Sequence, residues 1–154
     1  MLESRGIVVD LVWTEQLSVG NAILDCDHKE LLKLASDIGS AAKSKNHADL
    51  FYAFKQFCAC IDRHFLNEEL IAAEFNIPFG MHKMAHQNLQ VDLVCTMQQL
   101  RKNSAETIFA AEHYAQFLQD WLTRHITSED MLMKPALLTS SYNTKLLGMA
   151  TAGS

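Results

Sequence analysis

The chain has 154 residues, 49% of them hydrophobic and 20% charged, with a net charge of −5. That length suits one domain with a real core, and an acidic balance without a basic block argues against a nucleic-acid surface. No apolar run approaches the roughly 20 residues that span a bilayer, and the first ten residues, MLESRGIVVD, lack the features of a secretory signal, so a cytoplasmic protein is expected.

Residues 1–17 read as an arm whose Ile7, Val9 and Trp13 cover the remainder. After the turn residues Ser18-Val19-Gly20-Asn21, a first apolar face recurs at the helical period: Leu24, His28, Leu31, Ala35, Ile38 and Ala42. The polar stretch KSKNHAD predicts a loop with a solvated His47. A second face follows at Leu50, Phe54, Phe57, Ile61, His64, Glu68, Ile71 and Phe75, and Asn76-Ile77-Pro78-Phe79-Gly80 breaks it. The third is His82, His86, Leu89, Leu93, Met97 and Leu100, ending near Lys102-Asn103-Ser104. The fourth runs Thr107, Ala111, Tyr114, Leu118, Trp121 and His125, with Pro135 as its stop. Residues 136–154 have weak helical propensity and read as a tail.

Strand signals are absent. Four amphipathic helices of about 20–28 residues with short connections predict an all-α, up-down-up-down antiparallel four-helix bundle. It would span about residues 18–135 of a single 1–154 domain, with an N-terminal arm and a C-terminal extension. Cys26, Cys58, Cys60 and Cys95 all fall in helical stretches and are expected to pack as small hydrophobes. The CAC spacing of Cys58 and Cys60 is not a zinc-ribbon pattern.

The chemistry lies in what the apolar faces carry. His28, His64, His82, His86 and His125 take core positions on the four faces, accompanied by Glu68 and Asp130. One buried histidine needs no explanation beyond packing. Five imidazoles and two carboxylates do, because unpaired buried polar groups each cost about 1–3 kcal/mol. A metal satisfies them together, since neutral imidazole and carboxylate are natural ligands. His64 with Glu68, and His82 with His86, are spaced i,i+4, about 40° apart on a helix. Seven ligands exceed a tetrahedral zinc site and suit two bridged metals, iron before calcium or magnesium. His125 and Asp130 are i,i+5, about 140° apart on a regular helix, so the backbone between them must leave α geometry if Asp130 is to join. His47, in the polar loop, and His113, three turns from His125, are excluded.

The ordered set His28, His64-x3-Glu68, His82-x3-His86 and His125-x4-Asp130 resembles the full ligand pattern of the hemerythrin family. Trp13 with Leu17-Ser18-Val19-Gly20, the Asp25-x2-His28 segment, His64-Phe65 and WLTRHI at 121–126 carry the same resemblance, which covers about residues 12–135. Asp27 departs from the pattern, since bacterial relatives often have glutamine there. The resemblance implies a non-haem di-iron centre, with His82, His86 and His125 on one iron and His28 and His64 on the other. Glu68 and Asp130 would bridge the two with an oxo or hydroxo group. It further implies reversible dioxygen binding at the second iron's open position, without turnover, in a pocket of Phe65, Trp121, Leu122 and Ile126. Two alternatives stay open. A ferritin-like oxidase or peroxidase would use Glu-x-x-His motifs, and none contributes to these faces. A sensing module or homo-oligomer would use the 136–154 tail.

Overall fold

The computed structural model describes residues 12–139. Four helices build it: α1 (Ala22–Lys43), α2 (His47–Glu74), α3 (Gly80–Leu100) and α4 (Ala105–Ser128). No strand occurs among the described residues. Three of the helix starts are capped by the residue types that satisfy orphan backbone N–H groups. The Asn21 side chain accepts from the N–H of Ile23 at 3.0 Å and of Leu24 at 3.1 Å. Asn46 accepts from Asp49 N–H at 3.1 Å and Ser104 from Thr107 N–H at 3.1 Å. Lys45, Asn76 and Asn103 turn the chain after α1, α2 and α3 in left-handed conformations.

α1 packs along both α2 and α4, while α3 closes the far side against the same two helices more sparsely. Each helix therefore neighbours its sequence partners, and the short connections make them antiparallel. The result is the expected four-helix bundle. Its interior is layered. A large apolar cluster holds Leu31, Phe54, Phe57, Ile61, Phe65, Leu89, Leu93, Leu118, Leu122 and Ile126. A smaller one at the other end holds Val19, Leu24, Ile71, Ala72, Met133 and Leu137. His28 lies between Leu24 and Leu31 along α1, and His64 with Glu68 lies between Ile61 and Ile71 along α2. Polar groups thus form a layer between two apolar ones.

Several details differ from the sequence expectations. His47 does not sit in a solvated loop. It opens α2, is half-buried, and places Nε2 against the carbonyl of Leu100 at the end of α3, which also accepts from Asn103 N–H at 3.4 Å. Pro135 does not stop α4, which already ends at Ser128. Residues 134–139 are helical instead, and proline is tolerated in a first turn because its missing N–H has no partner there. On α4 the buried line is Ala111, Ala115, Leu118, Leu122 and Ile126, with Tyr114 and Trp121 on its shoulder. Cys60 is buried and Cys58 half-buried, and burial raises their thiols to about 12 and about 11 respectively. Cys26 and Cys95 are exposed, because they sit off the inward faces of α1 and α3. Trp13 packs on the large cluster under Lys29, whose Nζ stands 5.0 Å from the ring centroid. Ile7, Val9 and residues 140–154 of the tail lie outside the described residues.

Candidate metal centre

The layer is assembled from every helix. α1 is pinned first: Asp25 accepts from Ser18 Oγ at 2.6 Å and from Val19 N–H at 2.9 Å, folding the 18–20 turn onto the helix start. One turn later His28 points inward, fully buried. α2 brings His64 and Glu68, α3 brings His82 and His86, and α4 brings His125. After Ser128 the backbone leaves α geometry, and Asp130 opens a 3-10 turn, Asp130–Met133. That change of geometry swings Asp130 back into the bundle, where it is fully buried.

The seven side chains converge in two groups, each with ligand atoms within 4.8 Å of one another. One holds Glu68, His82, His86, His125 and Asp130, and the other His28, His64, Glu68 and Asp130. The carboxylates are the members common to both. Asp130 presents Oδ1 to His82 Nε2 at 2.9 Å and His125 Nε2 at 3.0 Å, and Oδ2 to His28 Nε2 at 2.9 Å. Glu68 Oε2 lies 3.1 Å from His86 Nε2 and 3.5 Å from His64 Nε2. The three imidazoles of the larger group crowd together, with Nε2 of His125 3.0 Å from that of His82 and 2.9 Å from that of His86.

The electrostatics fit a bound cation. Burial, followed by the charge of Asp130, pushes the Glu68 carboxyl well above the usual carboxylate range. Burial also opposes ionisation of Asp130, but its contacts with His125, His28 and His82 outweigh this and hold it well below that range. His86 is pushed down to about 2 by burial and by the neighbouring His125 and His82. Burial likewise lowers His64. These two imidazoles, His64 and His86, are held neutral, the form that binds metal. Both carboxylate oxygens of Glu68 and of Asp130, and both ring nitrogens of His28, are buried, and none makes a hydrogen bond of good geometry despite the close N···O approaches. A dication placed among them supplies the missing partner and favours the ionised form of Glu68.

The surroundings are ordered by stacking. Phe65 lies flat on His86, with centroids 3.6 Å apart and planes at 6°, and Trp121 stacks on His125 at 4.3 Å and 15°. Both therefore brace the larger group, whereas the sequence places them beside the smaller one. Leu122 and Ile126 are 1% exposed and belong to the apolar layer next to the centre. His113 is exposed on α4, outside the cluster.

Two acidic residues outside the predicted set stand behind the histidines. Glu129 Oε2 is 3.0 Å from Nδ1 of His125, and buried Asp27 is 3.5 Å from Nδ1 of His64. Glu129 has a signal in the sequence, the same i,i+4 spacing from a histidine that Glu68 has. Asp27 has none, since its partner is 37 positions away on α2. Burial disfavours the Asp27 anion, but contacts from His64, Asn67 and Arg63 prevail and its carboxyl lies well below the usual range.

Comparison with known proteins places this geometry in context. The family described as Hemerythrin HHE cation binding domain matches residues 19–137. A bacteriohemerythrin of Pseudomonas aeruginosa is 22% identical over 120 residues, 78% of this chain and 76% of that one. A bacteriohemerythrin of Ralstonia nicotianae is 26% identical over 124 residues, 79% of this chain and 84% of that one. A crystal structure of a hemerythrin point mutant superposes with a TM-score of 0.75 at 21% identity, covering 82% of this chain and 96% of that one.

Proposed function

The chain belongs to the hemerythrin family, and from that membership we propose that it binds dioxygen reversibly at a pair of non-haem iron ions. The observation that carries the reading is the overlap of the two ligand groups, which share Glu68 and Asp130 and nothing else. His82, His86 and His125 would hold one iron and His28 and His64 the other. The two carboxylates and an oxo or hydroxo group would bridge them. When bound, the ferrous pair supplies an open coordination position and two electrons for dioxygen.

The protein's part is to hold the ligands, keep the His64 and His86 rings neutral and keep water out. The smaller group has one fewer imidazole, so the open position would belong there. Reversibility requires that no acid stand ready to protonate the bound oxygen. Leu122 and Ile126 are apolar and buried beside the centre, and Phe65 and Trp121 occupy the ring faces of His86 and His125. None of the four can donate a proton as an acid. Residues 1–154 act as one such domain, and no described helix is long and apolar enough to cross a membrane. An oxygen store or carrier in the cytoplasm is the role we favour over an oxidase, peroxidase or sensor.

Loading with ferrous iron should give two ions per chain. Mixing that protein with air should produce an absorption change that reverses when oxygen is removed. Leu122→Ala should retain the reversible change, because no ligand is lost, yet oxidise irreversibly several-fold faster, because the space admits water. Direct irreversible oxidation of the wild type, with no reversible phase on rapid mixing, would overturn the carrier reading.

A further inference from the structure

Among the described residues, Asp27 is the buried carboxylate that neither ligand group uses. It is 5% exposed, on the flank of α1 that faces α2. Its Oδ1 accepts from Arg63 Nη2 at 3.0 Å and Nε at 3.3 Å, and its Oδ2 from Asn67 Nδ2 at 2.9 Å. Arg63 Nη2 also donates to Glu30 at 2.8 Å. Two side chains, Arg63 and Asn67, thus hold one carboxylate in place through three hydrogen bonds, and its Oδ2 faces Nδ1 of His64 at 3.5 Å. That nitrogen is buried and makes no hydrogen bond, while the other nitrogen of the same ring faces Glu68 inside the centre.

We propose that Asp27, steadied by Arg63 and Asn67, is the positioning residue for His64, fixing its ring and tautomer and tuning the iron at the two-histidine end. The inference rests on the di-iron reading above. An imidazole that gives its Nε2 lone pair to a metal must carry its proton on Nδ1, and a carboxylate facing Nδ1 selects that tautomer. Closing 3.5 Å to a formed hydrogen bond takes a ring movement of about half an ångström. The anion also makes the imidazole a better donor, which favours the ferric state of the ion it holds. Asymmetry gives the proposal its content: His125, in the larger group, is backed by Glu129 at 38% exposure, while His64 is backed by a buried anion with its own cation.

The test is anaerobic titration of the metal-free full chain with ferrous iron, followed by redox titration of the loaded protein. The five-member group should fill first and the four-member group second. Asp27→Asn keeps volume and the contact with Arg63, and Asp27→Leu removes the acceptor altogether. Both should leave the first ion at wild-type affinity and weaken the second, by about tenfold or more for Asp27→Leu. Glu129→Gln should do the reverse, weakening the first. In Asp27→Asn, one iron should become easier to reduce by about tenfold in its ferric-to-ferrous ratio, roughly 59 mV for one electron. Arg63→Gln, at a half-exposed position that folding tolerates, should move both readouts the same way by less. Equal loss at both ions, as a merely structural residue would give, or wild-type behaviour in the Asn variant and the Arg63 variant, overturns the proposal. If the wild type does not take two ions, the di-iron reading itself falls, and this inference with it.

Discussion

His86 shows how one residue's burial becomes a property of the whole chain. In the unfolded chain it titrates near the ordinary 6.5, whereas in the fold burial, followed by the proximity of His125 and His82, pushes it down to about 2. Between those values the unfolded state binds the extra proton, so stability rises with pH through this window and is lost on acidification below 6.5. Glu68 works in the opposite direction, because its carboxyl is raised and the metal-free fold loses stability as pH climbs past the usual carboxylate range. A difference measurement separates them. Metal-free wild type should lose stability relative to metal-free His86→Leu as pH falls from 7 to 5, approaching about 1.4 kcal/mol per pH unit well below 6.5. Urea unfolding at several pH values reads this directly, and a flat difference would show that His86 protonates inside the fold. The same neutrality prepares the ring for metal, since no proton need leave it.

At the scale of elements, the turn before α1 places the first ligand. Gly20 has φ +82°, and a Cβ there would stand 2.9 Å from Leu138 Cδ2. Gly20→Ala meets both a left-handed backbone and that side chain, so it should destabilise by about 1–3 kcal/mol. A melting temperature unchanged within error would mean that the turn relaxes freely. The helices, their order and their inward faces are legible in the sequence because the 3.6-residue period registers each buried position. Six of the seven convergent side chains are legible for the same reason. Asp130 is legible only as a demand, that the i,i+5 spacing be rescued by a break in the helix, and the 3-10 turn after Ser128 meets it. What the period cannot carry is contact between helices. Arg63 to Asp27, His47 to Leu100 and the stacking of Phe65 on His86 depend on register and rotation across α1, α2 and α3. Pro135 misleads because proline marks a first turn as readily as a boundary.

For the molecule as a whole, the centre acts as a cross-link between elements that packing joins unequally. α1 lies firmly against α2 and α4, but α3 touches its neighbours sparsely and buries only His86, Leu89, Leu93 and Leu100. Of those four, one is a candidate ligand, and His82 on the same helix is another. α3 therefore depends on the centre more than any other helix does. Ions bound only by the folded state stabilise it in proportion to their affinity and concentration. Removing them also leaves Glu68 and Asp130 buried with only imidazoles beside them, which adds a cost that an apolar layer would not carry. Chelation should thus lower the melting temperature, and the loss should be uneven. Amide exchange in α3 should accelerate first and furthest, by a hundredfold or more if local opening becomes about 3 kcal/mol easier. α1 and α2, joined by the large apolar cluster, should keep most of their protection. Adding ferrous iron under nitrogen should restore α3. Uniform acceleration across all four helices would show instead that the bundle opens as one unit and that the metal layer holds no helix in particular.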